Sequence, residues 1–162
     1  MIWGISYTDL IRKVGHMSIK LIEINRRNWE QIISLKVNDE QSNFVASNLY
    51  SLVQAKYEPE CRPLAIYNDK LPVGFIMYVV PSIDQDDYWI YRLMIDKNHQ
   101  KKGYGKIAMQ QVIDIIKQDK DYNKVYISFE PNNLIAKTLY ERLGFISTGK
   151  IEDGEIVYVL NY

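Results

Sequence analysis

Tyr88-Trp89-Ile90-Tyr91-Arg92-Leu93-Met94-Ile95-Asp96 runs through Lys97-Asn98-His99 into Gln100-Lys101-Lys102-Gly103-Tyr104-Gly105-Lys106. Residues Trp89 to Ile95 are aromatic and aliphatic enough for a buried strand. Ile107 to Ile116 place Ala108, Val112, Ile115 and Ile116 on one face, the spacing of a helix. Two glycines, Gly103 and Gly105, lie where that helix begins and allow close approach to the backbone. The free N–H groups of a helix start and the positive end of its dipole favour an anion. Lys101, Lys102 and Lys106 add charge around it. The physical reading is a site for a phosphate or pyrophosphate. The plainer one is a glycine helix entry with solvated lysines.

Three phosphate patterns compete for this loop. The P-loop spacing Gly-x-x-x-x-Gly-Lys-Ser/Thr is absent. Gly103-Tyr104-Gly105-Lys106-Ile107-Ala108 fits the dinucleotide fingerprint Gly-x-Gly-x-x-Gly/Ala on paper, which would make a nucleotide-binding oxidoreductase. That fingerprint needs its glycines tight against the strand end, and a polar segment from Asp96 to Lys102 intervenes. The third pattern is Gln/Arg-x-x-Gly-x-Gly/Ala after a strand. Gln100 to Gly105 resembles it in full, and it is the acetyl-CoA pyrophosphate motif of the GNAT N-acetyltransferase family.

Outward from this stretch, the chain reads as a mixed α/β domain. The 162 residues suit one domain with a single core. Residues 17–162 are assigned to it; 1–16 are an extension with apolar residues first and a basic pair after them, or a native helix packed on the domain. Strands are expected over 19–24, 64–67, 73–80, 89–95, 124–129, 145–151 and 156–160. Short helices are expected after the N-cap Asn28 and over 44–56, the latter with Phe44, Leu49, Leu52, Val53 and Tyr57 inward. A further helix opens at Pro131-Asn132-Asn133, with Ile135, Ala136, Leu139 and Leu143 as its buried stripe and Gly144 as its stop.

Twenty acidic and twenty basic residues give zero formal net charge, which argues against a nonspecific nucleic-acid binder. The lone Cys61 rules out an intrachain disulfide and a cysteine-based zinc site, and fits a reducing cytoplasm. No apolar run approaches the ~20 residues of a membrane span. No metal, nucleic acid or membrane partner is expected.

Asn133-Leu134-Ile135-Ala136-Lys137-Thr138-Leu139-Tyr140-Glu141-Arg142-Leu143-Gly144-Phe145 resembles the second GNAT signature, Asn-x-x-Ala-x-x-x-Tyr-x-x-x-Gly-Phe, at every marked position. An amphipathic helix with a glycine stop accounts for Ala136, Leu139, Leu143 and Gly144, but not for Asn133 or Tyr140. The two motifs cover the C-terminal half of the domain in the right order. The resemblance implies a mostly antiparallel sheet flanked by helices, with a central parallel strand pair splayed around the cofactor. It implies acetyl-CoA as co-substrate and direct transfer of its acetyl group to a primary amine in a ternary complex. On that resemblance the backbone of Leu93, Met94 and Ile95 pairs with the pantetheine arm. Gln100, Lys101, Lys102, Gly103, Tyr104, Gly105 and Lys106 hold the pyrophosphate. Asn133, Ala136 and Lys137 complete the cofactor site, and Tyr140 points at the thioester sulfur.

A neutral phenol with a reference pKa of about 10 suits donation to a departing thiolate. For the base, Glu130 at the end of its strand is the first candidate; a solvated strand-end carboxylate is the alternative. Tyr91 is a proton relay or a core residue, and His99 lines the loop rather than acting in catalysis. The core-strand tract, the glycine loop and Phe129-Glu130-Pro131-Asn132-Asn133 resemble the bacterial spermine/spermidine acetyltransferase branch of the family. Asp86 and Asp87, with the other acidic loop residues, would then attract a polyamine, with Tyr91 beside it. Other amines (an amino acid, an antibiotic, a protein N-terminus) remain alternatives, as does a non-catalytic acyl-CoA-binding module. An exposed strand edge could pair two chains, and the resemblance to a family that often dimerises implies a homodimer.

Overall fold

A computed structural model describes residues 18–162; the extension at 1–16 lies outside the described residues. In chain order it contains β1 (Ile19–Glu23), α1 (Trp29–Ser34), a 3₁₀ turn (Asp39–Gln41), α2 (Asn48–Tyr57), β2 (Cys61–Asn68) and β3 (Leu71–Val79). Then come β4 (Tyr88–Ile95), α3 (Tyr104–Ile116), β5 (Lys124–Phe129), α4 (Leu134–Arg142), β6 (Ile146–Glu152) and β7 (Glu155–Asn161). The seven strands form one sheet in the order β1-β2-β3-β4-β5-β7-β6. All neighbours are antiparallel except β4 and β5. A parallel pair needs a crossover, and α3 supplies it. The fold expected from the sequence is therefore the fold observed.

Each face of the sheet has its own core. On one, Ile66, Val73 and Ile76 pack with Ala108, Met109, Val112, Ile113 and Ile116 of α3 and with Tyr140 of α4. On the other, Ala65, Phe75, Met77 and Met94 pack under Ile32 of α1. Burying each large side chain of this kind contributes about 1.5–3 kcal/mol. Tight turns fix the hairpins. Asp69 joins β2 to β3 with φ 54°, and Asp153 and Gly154 join β6 to β7 with φ 49° and 88°, a two-residue turn matched to strand twist. Gly74 must be glycine, because a Cβ there would collide with the Met94 carbonyl oxygen and the Ile95 side chain.

Four sequence expectations are corrected. The second helix starts at Asn48, not Phe44, because Ser47 caps it by accepting the Tyr50 N–H at 3.2 Å. Its Leu49, Val53 and Tyr57 are exposed, whereas Asn48 and Ser51 are buried. Asn48 turns inward because its amide donates to the Ile32 carbonyl oxygen at 2.8 Å. Asn28 heads α1 without capping it; its side chain reaches back to Asn25 N–H and the Glu23 carbonyl. Ile115 and Ile135, expected inward, are exposed on the rims of their helices.

Candidate active site

The site begins where the parallel pair comes apart. Tyr88, Trp89 and Ile90 of β4 pair with Val125, Tyr126 and Ile127 of β5, and the pairing stops there. Both strands continue, so Tyr91 to Ile95 present a backbone edge with no β5 partner. A bulge sets this up: Tyr78 pairs with Ile90 and Met77 with Arg92, leaving Tyr91 as the extra residue. The bulge shifts the alternation of side chains. Ile90 and Leu93, three apart, both face the α3 core, while Tyr91 and Met94 both face the α1 side. The result is a cleft of about 1040 Å³ between the splayed strands.

At one end of the cleft, the loop after β4 curls back on itself, with Lys101 at φ 63° and Gly103 at φ 80°. Alternating right- and left-handed residues turn successive N–H groups inward, the geometry of an anion nest. The first α3 bond runs from the Ile107 N–H to the Gly103 carbonyl at 3.2 Å. Among the described residues, no acceptor takes the N–H groups of Lys101 to Lys106. A Cβ on Gly105 would meet only ordinary contacts, the nearest at 3.6 Å from the Ile95 side chain. Protein packing therefore does not require glycine there. These features fit the pyrophosphate of a coenzyme A thioester.

The loop is held from behind. The Gln100 amide donates to the Ile95 carbonyl at 3.0 Å and to Gln41 Oε1 at 2.8 Å, and its oxygen accepts from Asn38 at 3.1 Å. Asp96 takes the Lys36 N–H and the Asn98 N–H, each at 3.0 Å. Burial alone would raise the Asp96 carboxyl; these donors win and hold it below the usual carboxylate range.

From the opposite wall α4 contributes Tyr140, only 7% exposed and lining the cleft. Phe129 packs edge-on at 5.2 Å between ring centroids, and Phe145 lies at 6.0 Å. Burial pushes the phenol's pKa up, and the Glu155 carboxylate adds to the shift. Tyr140 therefore stays protonated through the neutral range. Asn133 caps α4, its Oδ1 accepting the Ala136 N–H at 3.1 Å. That supplies the structural role for Asn133 that the sequence did not offer. Gly144 closes the helix at φ 93°, with Phe145 N–H on the Tyr140 carbonyl at 3.0 Å.

The structure brings together Tyr91, Leu93, Met94, Ile95, Gln100, Lys101, Gly103, Gly105, Lys106, Asn133, Ala136 and Tyr140 along this cleft. Tyr104 lines it too, but its ring is buried and its hydroxyl accepts from Asn68 at 3.2 Å. Lys102 and Lys137 do not line it, and Lys137 lies 4.0 Å from Glu141. Glu130 follows β5, where its carbonyl accepts the Asn133 N–H; its side chain is not part of the cleft wall. Asp86 and Asp87 also stand off the cleft, and Asp87 is 3.4 Å from Lys124. The carboxylates on the cleft wall are instead Glu152, Asp153 and Glu155 of the β6–β7 hairpin, with Ser128 donating a hydrogen bond to Glu155. Sequence reading missed them because an acidic turn between strands carries no signal of what it faces. Arg92 lines the cleft as well, its Nε buried without a partner. Among the described residues, no group of His, Cys, Asp and Glu is arranged to hold a metal ion.

The open β4 edge and the N–H groups of the α3 start line one cleft. Residues 20–145 match the acetyltransferase (GNAT) family. The chain belongs to that family. The spermine/spermidine N(1)-acetyltransferase of Bacillus subtilis is 32% identical over 149 residues, covering 88% of this chain and 98% of that protein. The crystal structure of spermidine N-acetyltransferase from Vibrio cholerae with CoA and spermine has a TM-score of 0.70 at 17% identity, over 88% of this chain and 95% of that one. Aminoglycoside acetyltransferase AAC(6')-Ib with coenzyme A and kanamycin has a TM-score of 0.73 at 18% identity, over 89% and 95%. At such identities the two structures speak to the fold, not to the acceptor. This GNAT protein is accordingly an N-acetyltransferase with acetyl-CoA as co-substrate. No helix among the described residues is long and apolar enough to cross a membrane.

Proposed function

We propose that this GNAT enzyme acetylates a primary amine of a polyamine such as spermine or spermidine. The observation that carries the reading is the carboxylate wall of Glu152, Asp153 and Glu155 on the cleft. Several acidic groups facing one cleft complement a chain of ammonium groups. The Bacillus subtilis relative, named for spermine and spermidine, supports the same acceptor.

Roles follow from position. The edge of Leu93 to Ile95 hydrogen-bonds the pantetheine arm. The N–H groups of Lys101 to Lys106 bind the pyrophosphate, with the helix dipole and the lysines adding to the attraction. The Asn133 Nδ2, left over after Oδ1 caps α4, serves the pantetheine. The amine nitrogen attacks the thioester carbon; a free N–H of the β4 edge polarises the carbonyl oxygen. Tyr140 donates its proton to the sulfur as the C–S bond breaks. A second copy of the chain pairs along the exposed outer strand β6, in keeping with a homodimer, and the protein works in the cytoplasm.

Arg92 favours a second reading. A cation on the acceptor wall repels a polyamine and suits an amine that also bears a carboxylate, such as an amino acid. Measuring kcat/KM for spermine, spermidine, a simple diamine and lysine separates the two. The polyamine reading expects spermine and spermidine to lead. Preference for lysine would replace it with the second.

A further inference from the structure

We infer that Glu155 receives the proton of the attacking amine, working from the face of the sheet opposite Tyr140. The inference rests on the acetyl-transfer reading above. Strand alternation places the two groups. Phe129 and Tyr158 touch on the α4 side, where Phe129 also meets Tyr140. Ser128, one residue before Phe129, points to the other face and donates to the Glu155 carboxylate. Tyr126, on that same face, stacks on Trp89, which belongs to the α1-side core. Ile127 makes the last pairing between β5 and β4, so Ser128 is the first β5 residue inside the gap. Glu155 thus stands at the opening through which the two faces communicate.

Two further facts bear on this carboxylate. Glu152, Asp153 and Glu155 on the cleft wall all lack an ion-pair partner among the described residues, and of the three Glu155 is the one that Ser128 holds at the gap. Tyr140 is 7% exposed, lines the same cleft and has a hydroxyl without a hydrogen-bond partner among the described residues. A phenol whose hydroxyl is not tied up by the protein, on the same cleft as a carboxylate, leaves room for a reacting group between acid and base.

The steps balance. Glu155 binds the ammonium and passes one proton to solvent, leaving the amine lone pair free. The nitrogen attacks, the C–N bond forms, and the second nitrogen proton moves to Glu155. The C–S bond breaks as Tyr140 protonates the sulfur, and the proton on Glu155 restores the phenol through water. The net release is one proton per acetyl group transferred from the ammonium form.

The test is the pH profile of kcat for wild type, Glu155→Gln, Glu130→Gln and Ser128→Ala with saturating acetyl-CoA and spermidine. Glu155→Gln should lower kcat on the order of 10²-fold or more and remove the acidic limb, with the KM for acetyl-CoA unchanged. Ser128→Ala should lower kcat less than Glu155→Gln does, because the carboxylate stays and only its anchor is lost. Glu155→Gln with wild-type kcat and only a higher amine KM would reduce Glu155 to an ammonium anchor and overturn the inference. Loss of the limb in Glu130→Gln instead would overturn it too. A wild type that releases no CoA thiol with any amine would overturn the acetyl-transfer reading itself, and this role with it.

Discussion

Asn133 Oδ1 accepts the Ala136 N–H at 3.1 Å, so a residue of the family signature is also the N-cap of the helix that carries Tyr140. Its two amide atoms are separable. Asn133→Asp keeps an oxygen for the cap and removes the Nδ2 donor. Asn133→Ala removes both. The alanine variant should lose about 1 kcal/mol of stability while the aspartate variant stays near wild type. Both should bind CoA more weakly. Denaturant unfolding beside CoA titration checks this; an aspartate variant with unchanged CoA affinity would leave Asn133 a cap alone.

Replacing Tyr140 with Phe should lower kcat on the order of 10²-fold and leave CoA affinity intact, since binding does not use the hydroxyl. The phenol's raised pKa adds a pH expectation. The folded chain holds that proton above pH ~10, where the unfolded chain loses it. Stability is therefore full below about pH 10 and falls as pH rises beyond it. Tyr88, raised by burial and by its bond to Asp119, acts in the same direction. Alkaline melting of wild type against Tyr140→Phe measures the share due to Tyr140.

Gly105 and Gly74 should part company on substitution. Gly105→Ala meets only ordinary contacts in the first turn of α3, so its stability should match or slightly exceed wild type, while CoA binding weakens. Gly74→Ala collides with the Met94 carbonyl and should be plainly destabilising, because backbone has to move. Thermal melts with and without CoA give both numbers for each variant.

Cys61 is buried, and its thiol is pushed up to about 11, first by burial and then by the Glu58 carboxylate. The thiolate is the nucleophile, so alkylation at pH 8 should be far slower than for a free cysteine. The same shift favours the folded state below pH ~9, and that contribution is lost as pH rises to about 11. Native-state alkylation followed by mass spectrometry checks the rate.

The residues that line the cleft from the β4–α3 loop and from α4 were legible in the sequence and those of the β6–β7 hairpin were not, for a physical reason. The nest at Lys101–Lys106 and the helix of Tyr140 are local: a strand, a turn and a helix start are contiguous in the chain, and their chemistry is written in neighbouring residues. The carboxylate wall of the cleft is assembled at long range. Ser128 meets Glu155 only because β7 pairs with β5 in the sheet. Glu130 looked better placed from its strand alone, yet its backbone serves the turn into α4. Asp87 looked free, yet Lys124 lies 3.4 Å away. On α2 the error was one of polarity, since Asn48 is buried through a bond to Ile32 that no periodicity encodes.

The measurement closest to the central claim is CoA-thiol release from acetyl-CoA with spermidine, run against an amine-free control and with the product analysed for acetyl-spermidine. The expected result is amine-dependent release and a matching amount of product acetylated on a primary nitrogen. Tight acetyl-CoA binding with no release above the control, for spermidine and spermine alike, would contradict it.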